Sequence, residues 1–181
     1  YVEKQGYAVI LNNMSLLEKT GNHYSELSSY QSAISKSIKL FNKTQIDGLV
    51  YVAMHDRDVM ELIPKLSIPI VLVYCYDTSK NNYYVTYDNV DVIVDVAECL
   101  MKRGNEKIGV IKGAEDSLPS QKRLKSFITQ LKKEGKELKE EYIFPGAWEF
   151  DDGVKAYERY KQLEEKPTAI FAMNDLMAVG F

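Results

Sequence analysis

The last stretch of the chain carries the densest chemical signal. Pro167 sets the backbone extended, Ala169 to Met173 reads as a short uncharged strand, and Asn174-Asp175 follows at once, ahead of the helix-forming Leu176-Met177-Ala178. An open α/β sheet receives ligands at such a junction, beyond the carboxyl ends of its strands and close to unpaired helix N–H groups. Asn174 and Asp175 either bind ligand hydroxyls there or cap their own helix. Trp148 is the one tryptophan of the chain and lies in the loop Pro145-Gly146-Ala147-Trp148. Its indole either stacks on a sugar face or a base, or packs into its own unit. Arg123 follows the loop from Gly113 to Gln121, and its guanidinium either holds two ligand oxygens in a fork or pairs with Asp116 or Glu115. Ser117 lies in the same loop. Asp88 ends a short extended stretch and either accepts hydroxyl hydrogen bonds or caps the helix that follows.

The elements that must position these residues alternate between strand and helix. Tyr7 to Leu11, Leu49 to Ala53, Ile70 to Tyr74, Val85 to Tyr87, Lys107 to Lys112 and Tyr142 to Phe144 read as strands. Between them, Ala33, Ile34, Ile38 and Phe41 recur at helical spacing within Ser29 to Lys43. Val59, Leu62, Ile63 and Leu66 mark a second helix that must end before Pro69. Ile93 to Met101 gives a third, closed by Gly104, and Leu124 to Leu131 a fourth, closed by Gly135. Val154 to Leu163 gives a fifth, capped by Asp151 or Asp152.

Continuous apolar strands separated by helices predict parallel sheets covered on both faces. Right-handed crossovers then bring the strand C-terminal ends to one rim, where Asn12, Asn13, Met54, His55, Tyr74, Gly113, Asn174 and Asp175 fall. The short strand ending at Asp88 is not preceded by a helix, so the chain is expected to change lobe there: residues 1–88 form one lobe and 89–181 the other.

Composition narrows the function classes. The 181 residues are 45% hydrophobic with a net charge of −3, and acids and bases are mixed along the chain, so no basic nucleic-acid surface is visible. No apolar run approaches the about 20 residues of a membrane helix. Cys75 and Cys99 form no CxxC and read as buried free thiols of a reducing compartment. The two histidines, His23 and His55, have no metal-ligand spacing, and the chain contains no GxSxG, GxGxxG or GxxxxGK[ST] sequence. No catalytic residue, metal or cofactor is expected.

Several blocks are similar to those of the LacI/GalR family of bacterial transcription regulators and occur in family order. They are Gln5-Gly6-Tyr7, Ile46 to Val50, Ile68 to Val71, Val85 to Asp88, Arg103 to Ile108, Gly113 followed by Arg123, Gly146-Ala147-Trp148 with Asp152-Gly153, and Pro167 to Gly180. The resemblance implies a two-lobed, periplasmic-binding-protein-like α/β fold that clamps a small molecule, a sugar or a nucleobase. It also implies a helix-turn-helix DNA reader elsewhere in the full protein, homodimerisation and a cytoplasmic location. At family positions it places Trp148, Arg123, Asp88, Asp175, Asn174 and Ser117 at the ligand.

The chain also departs from the family pattern. Ser15 to Tyr30 is longer than the usual loop and reads as a solvated insertion, with a flap or partner surface as the alternative. The family's first strand and its last strands are expected to be missing. Two other readings stay open on these residues: a secreted solute receptor of a sugar ABC transporter, and an α/β enzyme using the same cleft.

Overall fold

The computed structural model describes residues 2–21, 24–54, 56–79 and 81–181, the side chains of Val2, Tyr24 and Asn42 excepted. In chain order the elements are α1 (Leu16–Thr20), α2 (Gln31–Lys43), β1 (Leu49–Val52), β2 (Ile70–Val73), β3 (Tyr83–Val85), α3 (Asp91–Lys102), β4 (Ile108–Ile111), α4 (Leu118–Lys133), β5 (Ile143–Phe144), α5 (Phe150–Gln162), β6 (Ala169–Ala172) and α6 (Asp175–Gly180). The strands build two separate three-stranded sheets, in the orders β1-β2-β3 and β5-β4-β6. Every pairing is parallel: Leu49 lies opposite Ile70, Val71 opposite Tyr83, Val110 opposite Ile143 and Ile108 opposite Ala169. β1 and β4 thus belong to different sheets, as a two-unit architecture requires.

The second unit is the better-covered one. All four residues of β4 are buried, so both faces of its sheet are occupied. Ile93 and Ala97 of α3, Phe127 and Leu131 of α4, Ala156 of α5 and Met177 of α6 close around Val110 and Phe144 in one core. Each large side chain fully buried there contributes about 1.5–3 kcal/mol. Its helices carry clear punctuation. Ser117 caps α4 with Pro119 in the first turn, and Gly104 and Gly135 take φ +83° and +70° just beyond α3 and α4, a backbone state that side chains with a Cβ rarely adopt. At α5 the cap is Glu149 rather than Asp151 or Asp152; Asp152 instead reaches back to accept from the Glu149 N–H at 3.1 Å in a capping box.

In the first unit, Leu27, Ile34, Ile38, Val59, Leu62 and Leu72 form the core. Three expectations fail here. Tyr7 to Leu11 is not a strand: its apolar side chains are exposed, and none of the described strands pairs with it. An apolar run alone makes no strand, because the N–H and C=O groups need a neighbour to bond. Val59 to Leu66 is not a helix either. Val59, Leu62 and Ile63 do point inward, but Pro64 interrupts the run, removing a donor and clashing with the carbonyl four residues back. A single turn remains, with Ile63 N donating to Val59 O at 3.0 Å. Cover on both faces also fails for this sheet: Val50 and Val52 are exposed, as is all of β3.

Among the described helices none is long and apolar enough to cross a membrane. The two thiols separate. Cys75 is buried, whereas Cys99 sits on the outer face of α3 and is exposed, correcting the expectation of two buried thiols. Burial, reinforced by the Asp56 carboxylate, pushes the Cys75 thiol up to about 12. Since the thiolate is the nucleophile, iodoacetamide at pH 8 should alkylate Cys99 in the native protein and reach Cys75 only after denaturation. Peptide mass spectrometry of native and denatured samples checks this; equal modification of both thiols in the native state would contradict it.

Candidate ligand cleft

The two units meet at α4. Lys122 and Arg123 are adjacent on this helix and project to different partners. Arg123 donates from Nε to Asn89 Oδ1 at 2.8 Å and from one terminal nitrogen to the backbone carbonyl of Met173 at 2.7 Å. Its guanidinium lies 5.7 Å from the centroid of the Trp148 ring, within cation–π range. One side chain therefore touches the segment after β3, the end of β6 and the loop after β5. Lys122 reaches in the other direction, placing Nζ 3.3 Å from Asp56 Oδ2 and 4.9 Å from the Tyr76 ring centroid.

Trp148 has φ +78°, a strained conformation for a residue with a Cβ. The strain is held by packing and by one hydrogen bond. The indole edge lies against Gly113, the Trp148 carbonyl accepts from Asn174 Nδ2 at 2.8 Å, and the ring joins the edge of the second core. Its Nε1–H is buried and has no acceptor among the described residues. Such an orphaned buried donor costs about 1–3 kcal/mol.

Asn174 and Ser117 have local tasks as well. Asn174 Oδ1 accepts from Met177 N at 2.9 Å and caps α6, while Ser117, fully buried, accepts from Ser120 N at 3.3 Å and caps α4. Asp88 Oδ1 accepts from Val90 N and Asp91 N, both at 2.9 Å, at the start of α3. These backbone N–H groups hold its carboxyl below the usual carboxylate range. Asp88 and Arg123 line one cavity of about 360 Å³, together with Tyr87, Asn89, Phe171 and Met173. Trp148 and Asp175 do not line it. Of the sequence candidates, Arg123, Trp148 and Asn174 are thus joined directly and Asp88 joins through the cavity. Ser117 is confined to its cap, and Asp175 is exposed in the first turn of α6. His23 and His55 lie outside the described residues.

A second cavity, of about 420 Å³, adjoins the first at Tyr87, Asp88 and Asn89 and brings in residues that sequence reasoning passed over: Asp56, Tyr76, Tyr84 and Lys122. Tyr74, at φ +60°, stacks on Tyr87 with centroids 4.7 Å apart, which adds an aromatic face beside both cavities. One signal was available in the sequence, since Tyr84 and Thr86 sit two residues apart and share a side of the extended chain. Asp56 had none; it is a loop aspartate that becomes 4% exposed only on folding. The segment from Ser15 to Tyr30 is more than a solvated insertion. Leu27 is buried in the first core, and Ser25 donates from N and Oγ to Asp116 Oδ2, both at 3.2 Å. Among the described residues no group of three His, Cys, Asp or Glu side chains is placed to hold a metal ion.

Two parallel-sheet units, meeting at a polar and aromatic cleft beside their strand ends, have the architecture of the periplasmic-binding-protein-like α/β class. Known sequences and structures point the same way. The family model described as periplasmic binding proteins and sugar binding domain of the LacI family matches residues 25–181, and the chain belongs to that family. It is 28% identical over 159 residues to catabolite control protein A of Priestia megaterium, covering 85% of this chain and 48% of that relative. It is 27% identical over 180 residues to the HTH-type transcriptional repressor PurR of Mannheimia succiniciproducens, covering 98% and 50%. The chain therefore spans about half the length of the curated relatives it matches. A solved regulatory protein of the LacI family from Chloroflexus aggregans superposes with a TM-score of 0.69 at 20% identity, over 96% of this chain and 68% of that one, which shows the shared fold.

The close seat of the indole generates a test. A Cβ added at Gly113 would meet Trp148 Cζ2 at 2.1 Å, so Gly113→Ala must displace the ring. The expected cost is about 1–3 kcal/mol of stability, with a change in tryptophan emission. Urea melts followed by fluorescence check both, and a variant that melts and emits like wild type would mean that the ring is not packed on Gly113.

Proposed function

We propose that this chain is the effector-sensing part of a transcription regulator, with lobes at 1–88 and 89–181 and a small polar ring compound held in the cleft between them. A sugar is the first candidate and a nucleobase the second. The observation that carries the reading is the anchoring of Arg123. Asn89, the Met173 carbonyl and the Trp148 ring hold in one fixed orientation a guanidinium that lines a cavity. Asp88 lines the same cavity and supplies an acceptor, while Trp148 lies behind the guanidinium and its ring and buried N–H would meet a ligand that reaches past Arg123. The reading is of binding without turnover.

The family of the chain and the names of its relatives, a catabolite control protein and a PurR repressor, support a regulatory output. In this reading a helix-turn-helix domain elsewhere in the full protein reads DNA, the protein works as a cytoplasmic homodimer, and the effector shifts the balance between lobe arrangements by contacts that differ between them.

A thermal-shift screen of sugars and nucleobases identifies the effector, and mass spectrometry should recover it unchanged. In calorimetric titrations with the compound so found, Trp148→Ala should weaken binding by about 1–3 kcal/mol, with the far-ultraviolet circular dichroism retained. Undiminished affinity would make Trp148 a packing residue alone, and recovery of a converted product would establish an enzyme.

A further inference from the structure

We infer that Asp56 is a positioning residue for the cleft: its carboxylate fixes the orientation of the Asn89 amide, which in turn aims Arg123 at the Trp148 ring. The inference rests on the reading of the Arg123 side as the ligand site. Its physical basis is a chain of hydrogen bonds through buried groups. Asp56 and Asn89 are each 4% exposed. Asp56 Oδ1 accepts from Thr86 Oγ1 at 3.0 Å, and Oδ2 accepts from Asn89 Nδ2 at 2.9 Å and from Lys122 Nζ at 3.3 Å. Asn89 Oδ1 then accepts from Arg123 Nε at 2.8 Å.

The orientation of an asparagine amide is decided by its neighbours. An ionised carboxylate is acceptor-only, so it takes the NH2 side of Asn89 and leaves the oxygen facing Arg123, a donor-only group. Both ends of the amide are matched, and a flip would set oxygen against carboxylate and NH2 against guanidinium. Lys122 completes the device. A carboxylate this deeply buried needs a cation, and Lys122 meets it from α4, the same helix that carries Arg123. The first unit thereby holds two consecutive residues of α4, Lys122 directly and Arg123 through Asn89.

Asp56→Asn keeps the shape and removes the acceptor-only character. An asparagine at 56 can present oxygen or NH2 to Asn89, so the amide loses its fixed sense and Arg123 loses its assured acceptor. Trp148 reports the result without any ligand, because it is the only tryptophan and Arg123 lies over its ring. In the full chain, Asp56→Asn should shift the Trp148 emission and raise its acrylamide quenching constant while the far-ultraviolet circular dichroism is retained. Asn89→Ala should do the same, and the double variant should go no further than either single one. Thr44→Val, which removes a local hydrogen bond to the Phe41 carbonyl at the end of α2, outside the relay, should leave the emission as in wild type.

Unchanged emission and quenching in Asp56→Asn overturn the inference, as do effects of Asp56→Asn and Asn89→Ala that simply add. A measurement on the unmodified protein covers the case in which the variants fail to fold: the Arg123 Nε–H proton should exchange slowly with solvent by NMR, and exchange at the rate of a free guanidinium overturns the relay. None of these readouts uses a ligand, so their failure leaves the effector reading standing, and a screen without hits leaves the relay standing.

Discussion

The guanidinium of Arg123 is the constraint on which the rest of the cleft depends. A permanently charged, planar group half-sunk between two α/β units has to find acceptors in fixed directions. It takes one from the segment after β3, one from the backbone at the end of β6, and an aromatic face from the loop after β5. Those three segments have no sequence proximity. Their geometry near Arg123 is a consequence of the parallel sheets, which bring strand ends to a common rim.

The aromatic partner is held with equal specificity. Trp148 keeps a positive φ because its neighbours leave little choice: Gly113 makes room for the ring edge, and Asn174 ties down the carbonyl while capping α6. Helix capping and the shaping of the cleft rim are the same interactions here. Asp88, Asn174 and Ser117 each satisfy helix N–H groups, and those caps also fix the helices whose starts border the cleft. A residue with a cap to make is not thereby excluded from a ligand, since a capping carboxylate or amide keeps further lone pairs or donors.

Charge divides by location. Exposed pairs such as Lys102 with Glu98, or Lys139 with Glu165, lie on the outer surface of the second unit, where solvent screens them and each adds little. The Asp56–Lys122 pair differs, because its carboxylate is buried at the contact between units and shares its oxygens with Thr86 and Asn89. Removing Lys122 would leave the Asp56 carboxylate uncompensated away from water, so this pair bears on how the units sit together.

Much of the architecture was legible in the residues. β4, β6 and helices α3, α4 and α5 stand close to where periodicity and glycine stops put them, because each carries its own local signals and a buried sheet to pack on. Arg123, Trp148, Asp88 and the Asn174-Asp175 junction were visible as chemistry at strand and helix ends. Their alternatives were not decided, because a cap and a ligand contact call for the same residue types. Tyr7 to Leu11 and Val59 to Leu66 misled for two different reasons. The first has strand composition but no neighbour among the described strands, and the second has helical spacing around a proline that spacing alone does not register. By itself the sequence determined which segments bury a face and which residue types end them, since both follow from local backbone and side-chain chemistry. Only the tertiary structure decided that Asp56, Asn89 and Lys122 belong to the cleft, because hydrogen bonds between residues 33 and 66 positions apart follow from packing and leave no periodicity in the chain.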